Sequence, residues 1–561
     1  MSRIKDLCLI GTLLVGVQTV RGDTVTTSAA MAFIDSHLKK IRPLELESNI
    51  AWWEANTTGK PEAFDRKEKA QNRMDAALSD KTAFGQLKNL RDKSTLIDDP
   101  LTRRSIQVLY LQYLGSQVDP ELLKRMTALA NQVEKDFNAF RARVDGQELT
   151  ENQIREVLRQ STDSDRRKAV WTASKKVGEI LSPNLKELVR LRNQAAKSLG
   201  FDSFHALQLH LNEQNGEDLL KLFDELDNLT REPFQTLKRE IDAELAKRCG
   251  ISTPELRPWH YHDPFFQESP AVFSSDLDAP YRNADILKLC RDFYQGIGLP
   301  IDRVLGRSDL YEKSGKSPHA FCTDIDRQGD VRVLANIVPN EYWASTMLHE
   351  LGHAVYSSLN IPETMPYILR SEAHILATEG IAMQFERFSK KTKFLAAMGI
   401  PVTNPSQFEA GASKALRARL LIFSRWCQVM LRFEKSMYEN PDQDLNKLWW
   451  DLVEKYQGLK RPEERNQPDY ASKIHIVSAP VYYHNYMMGE LFASQVHDAL
   501  CRKLYPGESP RDVIYVNNKE VGTFLKEKVF SKGKLLPWND LVRTATGENL
   551  NAKAFARDFQ P

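Results

Sequence analysis

Apolar positions along this chain recur at helical spacing in segment after segment. Between Asp442 and Gly458 they fall at Leu445, Leu448, Trp449, Leu452, Val453 and Tyr456, one face of a helix that Gly458 is placed to stop. Ser182-Pro183 predicts the start of a helix carrying Leu185, Leu188, Val189 and Ala196 and ending at Gly200. Thr150 and Gln153 form a capping box ahead of Ile154, Val157 and Leu158, and Gly216 precedes Leu219, Leu220, Phe223 and Leu226 in the same rhythm. One stretch departs from this habit. From His319 to Val338 the polar turn Arg327-Gln328-Gly329-Asp330 leads into Val331-Arg332-Val333, the pattern of a short antiparallel hairpin. Pro339-Asn340 then opens another helix. No repeat, low-complexity tract or Pro/Gly/Ser linker divides residues 30–561, so one mostly α domain over 23–561 is expected.

With 42% apolar and 27% charged residues in 561, the chain is neither disordered nor short of core. Its 77 basic and 75 acidic side chains nearly cancel, which gives nucleic acid or an anionic membrane no electrostatic hold. Residues 1–22 read as a signal peptide: Arg3 and Lys5, an apolar run from Leu7 to Val17, then small residues near Gly22. That run is too short to span a bilayer, and no later segment would anchor the chain. A secreted or periplasmic location follows. Loss of the leader removes Cys8 and leaves Cys249, Cys290, Cys322, Cys427 and Cys501, an odd set without a CxxC pair.

The chemistry begins at His349-Glu350-Leu351-Gly352-His353, an HExxH motif. Residues four apart share a helix face, so both imidazoles can reach one cation, and Glu350 beside them can act as general base on a zinc-bound water. A catalytic zinc needs a third protein ligand. No histidine stands where a metzincin would have it, so a glutamate is expected. Glu372, Glu379 and Glu386 are seven apart and would share one face of the next helix; spacing alone does not choose among them.

Further motifs carry a resemblance. His319-Ala320, thirty residues before His349, is similar to the His-Ala pair of angiotensin-converting enzyme-like peptidases. Lys473-Ile474-His475, Tyr483-His484-Asn485-Tyr486 and His497-Asp498-Ala499-Leu500 resemble the same family's C-terminal block, with a more distant likeness to thimet-type oligopeptidases. The resemblance implies a large helical ellipsoid split by a deep active-site channel, with the hairpin beside the zinc helix. It makes Glu379 the third ligand of a single zinc ion and Glu386 its follower. It assigns Tyr486, helped by His475, to the oxyanion, and His319 with the Ala320 backbone to the extended substrate. Lys473 and Tyr483 would bind the substrate's C-terminal carboxylate, although a one-residue shift in spacing lets Tyr482 compete for the second place. Two departures stand out: Asn485 replaces the arginine that helps the family bind chloride, so chloride activation is expected to be weak or absent. Met383 replaces an acidic residue, so Glu386 is expected to support the ligands.

The expected activity is zinc-dependent hydrolysis of short peptides with release of C-terminal dipeptides, by a monomer. An oligoendopeptidase cutting internally is the nearer alternative, and an inactive helical peptide-binding protein the more distant one.

Overall fold

The computed structural model describes residues 7–273 and 276–559, with side chains from residue 26 onward. The candidate leader at 1–22 lies outside the residues whose side chains are described. Helices dominate, and those that matter for the site are α1 (Leu7–Thr58), α2 (Pro100–Gly115), α3 (Ser164–Ser198), α4 (Gly216–Cys249), α5 (Glu341–Val355), α6 (Ile375–Glu386), α7 (Pro405–Glu439), α8 (Leu445–Gln457) and α9 (His484–Leu504). The described strands form two antiparallel hairpins, β1 (Ala142–Val144) with β2 (Gln147–Leu149) and β3 (Phe321–Asp324) with β4 (Val331–Leu334). One contiguous apolar core runs from Val133 to Phe559, and a satellite core beneath α1 and α2 joins Ala30, Ile41 and Leu109 to Leu369. Among the described residues no helix is long and apolar enough to cross a membrane.

Local signals act where the sequence places them. Thr150 and Gln153 exchange both bonds of the capping box, and Gly458 ends α8 in the left-handed region at φ +62°. The Asn340 side chain accepts the Trp343 N–H at 2.9 Å and starts α5. The expectation of a helix beginning at Ser182-Pro183 is corrected: α3 starts at Ser164 and runs through Pro183. The carbonyl that Pro183 cannot bond is that of exposed Glu179, on the solvent side of the helix, so the buried opposite face carries the helix past the proline.

Glycines set how closely the site helices approach. A Cβ on Gly352 would lie 2.7 Å from the Ala382 Cα on α6, and one on Gly380 would lie 2.9 Å from the Gly489 carbonyl oxygen on α9. Both contacts are with backbone, which cannot swing aside. Gly380→Ala should therefore destabilise the fold by about 1–3 kcal/mol through overpacking. Chemical denaturation measures this, and an unchanged midpoint would refute the close-contact argument.

Candidate active site

α5 and α6 bring three donors to one point. His349 Nε2 lies 3.1 Å from His353 Nε2 and 3.6 Å from Glu379 Oε2, and the last is 4.0 Å from His353 Nε2. Ligands on a tetrahedral zinc, at its usual bond lengths, stand about 3.3 Å apart, so the trio fits one such ion with small adjustments. Among the described residues this is the one cluster of metal-binding side chains so gathered.

Hydrogen bonds orient both rings. His349 Nδ1 meets Glu386 Oε2 at 2.8 Å and His353 Nδ1 meets Thr378 Oγ1 at 2.7 Å, which leaves both Nε2 atoms turned toward the common point. Burial works against a charged His349, yet Glu386, Glu350 and Glu379 together raise it to about 9, so the site is built to receive positive charge. Glu386 also accepts from Arg419 at 3.0 Å; against the effect of burial, Arg419 and His349 hold its carboxyl well below the usual range. With Met383 apolar, Glu386 supplies the acidic partner of His349. Glu372 does not join the trio. It precedes His374, the extended residue that caps α6, so the expectation that it shares a helix face with Glu379 and Glu386 is corrected.

Glu350 is buried beside the trio, and the Cys322 backbone N–H of β3 bonds its carboxylate. Burial, opposed by His349, pushes it up to about 7, a suitable value for a general base at neutral pH. Residues two apart on a strand present their backbone groups to the same edge, so Ala320, just ahead of β3, faces the way Cys322 does. His319 stands exposed at the turn before β3, its N–H on Ser317 Oγ at 3.4 Å, and its ring is not brought against the trio.

The C-terminal block assembles on the other side. Val481, at φ +56° and anchored by Glu434 at 3.0 Å, turns the chain into α9 so that consecutive tyrosines diverge. Tyr483 packs 5.3 Å from His475 and beneath the Lys473 ammonium at 5.5 Å; Tyr482 turns away and hydrogen-bonds Tyr486. Tyr486 touches both rings, at 5.3 and 5.6 Å, and its hydroxyl is kept neutral by burial and by the charge of Glu379. His475 has a buried Nδ1 without a partner, and burial, with Lys473, lowers it to about 4. Lys473 is itself buried, donates to Gln267 Oε1 at 2.6 Å, and is lowered by burial to about 8.

Lys473, Gln267 and His475 line a cavity of about 530 Å³, and Gln267 and Tyr483 border another of about 500 Å³ reaching Met383 and Arg419. Asn485 accepts from the Gln214 amide at 2.7 Å, a neutral pair where the resemblance expects a cation. All five described cysteines are free. Sequence reasoning missed Gln267, Thr378 and Arg419. Thr378 directly precedes Glu379, the one clue available; the other two have none.

Fold and site thus define a mostly helical protein with a His-His-Glu cluster that could hold a metal ion. The family model described as angiotensin-converting enzyme, of the M2 peptidases, matches residues 24–243 and 266–561, and the chain belongs to that family. It is 24% identical to "Angiotensin-converting enzyme-like protein Ace3" of Mus musculus over 73% of this chain, and 25% identical to the mouse "Angiotensin-converting enzyme" over 69%. It spans 59% and 31% of those two relatives' lengths. The "Angiotensin-converting enzyme" of Haematobia irritans exigua is 22% identical over 99% of this chain and 96% of its own length.

The Glu386–His349 bond has a direct consequence. Glu386→Gln should weaken zinc binding about 10–100-fold, as loss of such support does elsewhere. Competition with a chromophoric chelator measures it, and unchanged affinity would show that Glu386 does not support the ligand.

Proposed function

We propose that the protein is a zinc peptidyl-dipeptidase, exported by its leader, that removes C-terminal dipeptides from short peptides. The observation that carries this reading is the pairing of the His349–His353–Glu379 trio with a buried lysine, Lys473, on the far side of Tyr483 and Tyr486. His349, His353 and Glu379 hold the zinc, which when bound supplies a Lewis acid and a coordinated water acidified toward neutrality. Glu350, steadied by the Cys322 N–H, takes the proton of the attacking water and returns it to the leaving amine. Tyr486 donates its hydroxyl to the developing oxyanion, and neutral His475 is the second donor. Losing either should cost about a hundredfold or more in rate.

The substrate lies extended along the β3 edge, paired with the Ala320 backbone, with His319 donating to a substrate carbonyl at the rim. Lys473, with Gln267 and Tyr483, receives the C-terminal carboxylate. The neutral Gln214–Asn485 pair supports activity that is independent of chloride. A second reading, an oligoendopeptidase, draws support from the 530 Å³ cavity, which continues past Lys473 to Arg155 and leaves room for a longer chain.

Mass spectrometry of products from an unblocked decapeptide and its C-terminally amidated twin, with and without a zinc chelator, tests the proposal. Chelator-sensitive loss of dipeptides from the free acid alone is expected; equal internal cleavage of both would favour the endopeptidase. Glu350→Gln should keep its zinc and lose turnover.

The pH dependence follows from Lys473. Burial lowers its pKa, so it is charged below about 8 and neutral above. kcat/KM toward free-acid peptides should fall as pH rises through that value, while cleavage of an amidated peptide should show no such step. A flat free-acid profile would remove Lys473 from carboxylate recognition.

A further inference from the structure

A cavity of about 650 Å³ lies beyond Tyr482 and Thr378, walled by α1, α2 and the segment leading into α6. Tyr486 touches both Tyr482, on this cavity, and Tyr483, on the Lys473 side. On the reading above, a peptide with its carboxylate at Lys473 and its scissile bond at Tyr486 sends its N-terminal half past Tyr482 into this space.

Of the carboxylates on the cavity wall, Glu45 and Glu213 are matched, whereas Arg42 and Lys534 line it without an ion pair among the described residues. Glu45 accepts from Arg327 at 3.2 Å and from the Tyr367 hydroxyl at 2.9 Å, and Arg104 grips both oxygens of Glu213 at 2.5 and 2.7 Å. Glu372 differs. It lines the cavity, is only partly exposed, and takes part in no ion pair among the described residues; the hydrogen bond to its carboxylate comes from its own backbone N–H. Burial pushes it up to about 7, Asp324 adds to this, and Lys534 and Arg327 oppose without closing on it. Such a carboxylate bears a desolvation cost that an incoming cation would relieve. Glu372 also stands on the metal side of the cavity, close enough to act on Cys322, whose backbone holds Glu350. Lys534 lines the same wall, its N–H on the Leu369 carbonyl at 2.9 Å and its carbonyl accepting from Arg104 at 2.8 Å, and its ammonium forms no ion pair with Glu372.

We infer that Glu372 receives a cationic group from the substrate's N-terminal half: the free α-ammonium of a tripeptide or tetrapeptide, or a lysine or arginine side chain near the scissile bond in a longer one. The enzyme would then hold short peptides at both ends, carboxylate on Lys473 and ammonium on Glu372, and so measure their length.

The test uses tetrapeptides sharing one free C-terminal dipeptide, each unblocked or N-acetylated, and longer N-acetylated peptides with lysine or norleucine two residues before the scissile bond. Binding to the zinc-loaded Glu350→Gln protein is read by calorimetry, and kcat/KM on the active enzyme at whichever bond is cut. The cationic member of each pair should bind about tenfold better, the order of one charge-assisted contact. The first pair reads the α-ammonium and the second the side chain. Glu372→Gln should abolish the difference while zinc content stays the same, and Glu372→Asp should keep part of it. Equal binding within both pairs, or a difference that survives Glu372→Gln, would each overturn the inference. Amidated twins read the other end separately: if amidation is harmless but the ammonium preference holds, the carboxylate reading fails and Glu372's role stands.

Discussion

The site depends on three helices approaching more closely than side chains normally allow. Gly352 lies inside the HExxH motif and gives α6 its contact with α5; Gly380 follows Glu379 and gives α9 its contact with α6. Because the packed atoms are backbone, the separation is set by contact and not by adjustable side chains. That separation puts the Glu379 carboxylate within reach of both imidazoles. The same closeness brings Tyr486, on the first turn of α9, under the electrostatic influence of Glu379. The His-His-Glu trio and Tyr486, the proposed oxyanion donor, are therefore fixed by one packing event.

Charge placement around the trio follows a pattern. The buried ions nearest it are matched: Glu386 lies between His349 and Arg419, and Glu490 on α9 pairs with Arg387 and lies 3.7 Å from Arg419. These ties join α6, α7 and α9 around the His-His-Glu trio. Buried groups that would meet a substrate are left short of partners: the Lys473 ammonium has an amide oxygen instead of a carboxylate, and a His475 nitrogen has no partner at all. Leaving such groups unmatched costs stability, and a ligand recovers that cost on binding.

Much of this was legible in the sequence because it is local. HExxH needs only helical spacing; the 319–338 hairpin and the Thr150 and Gly458 boundaries need only turn and cap chemistry. Glu379 was distinguishable from Glu372 only by resemblance, since spacing does not reveal that His374 takes an extended backbone and starts the helix after Glu372. Gln267 meets Lys473 from 206 positions away, on a loop held by Asp263 through the Phe265 and Glu268 N–H groups at 2.9 and 3.2 Å. No periodicity reports a contact of that kind. The Pro183 error has a similar origin, because burial of one face of α3 overrides a local breaker signal.

The two consecutive tyrosines before α9 show how a small backbone feature can divide a binding site. In a regular helix Tyr482 and Tyr483 would point about 100° apart, and neither would be committed to a separate chamber. The left-handed turn at Val481, held by the buried Glu434 carboxylate, sets the pair across the entry to the helix. Tyr483 then faces Trp426, His475 and Lys473, while Tyr482 faces the cavity that holds Glu372. Tyr486, one turn on, is the residue both rings touch. On the proposed reading, a peptide spanning the two chambers passes this point, and its cleaved bond is located by where Lys473 holds its carboxylate and Glu372 its cationic group. That constraint is compatible with tolerance at the remaining positions together with dependence on charge at the two held points.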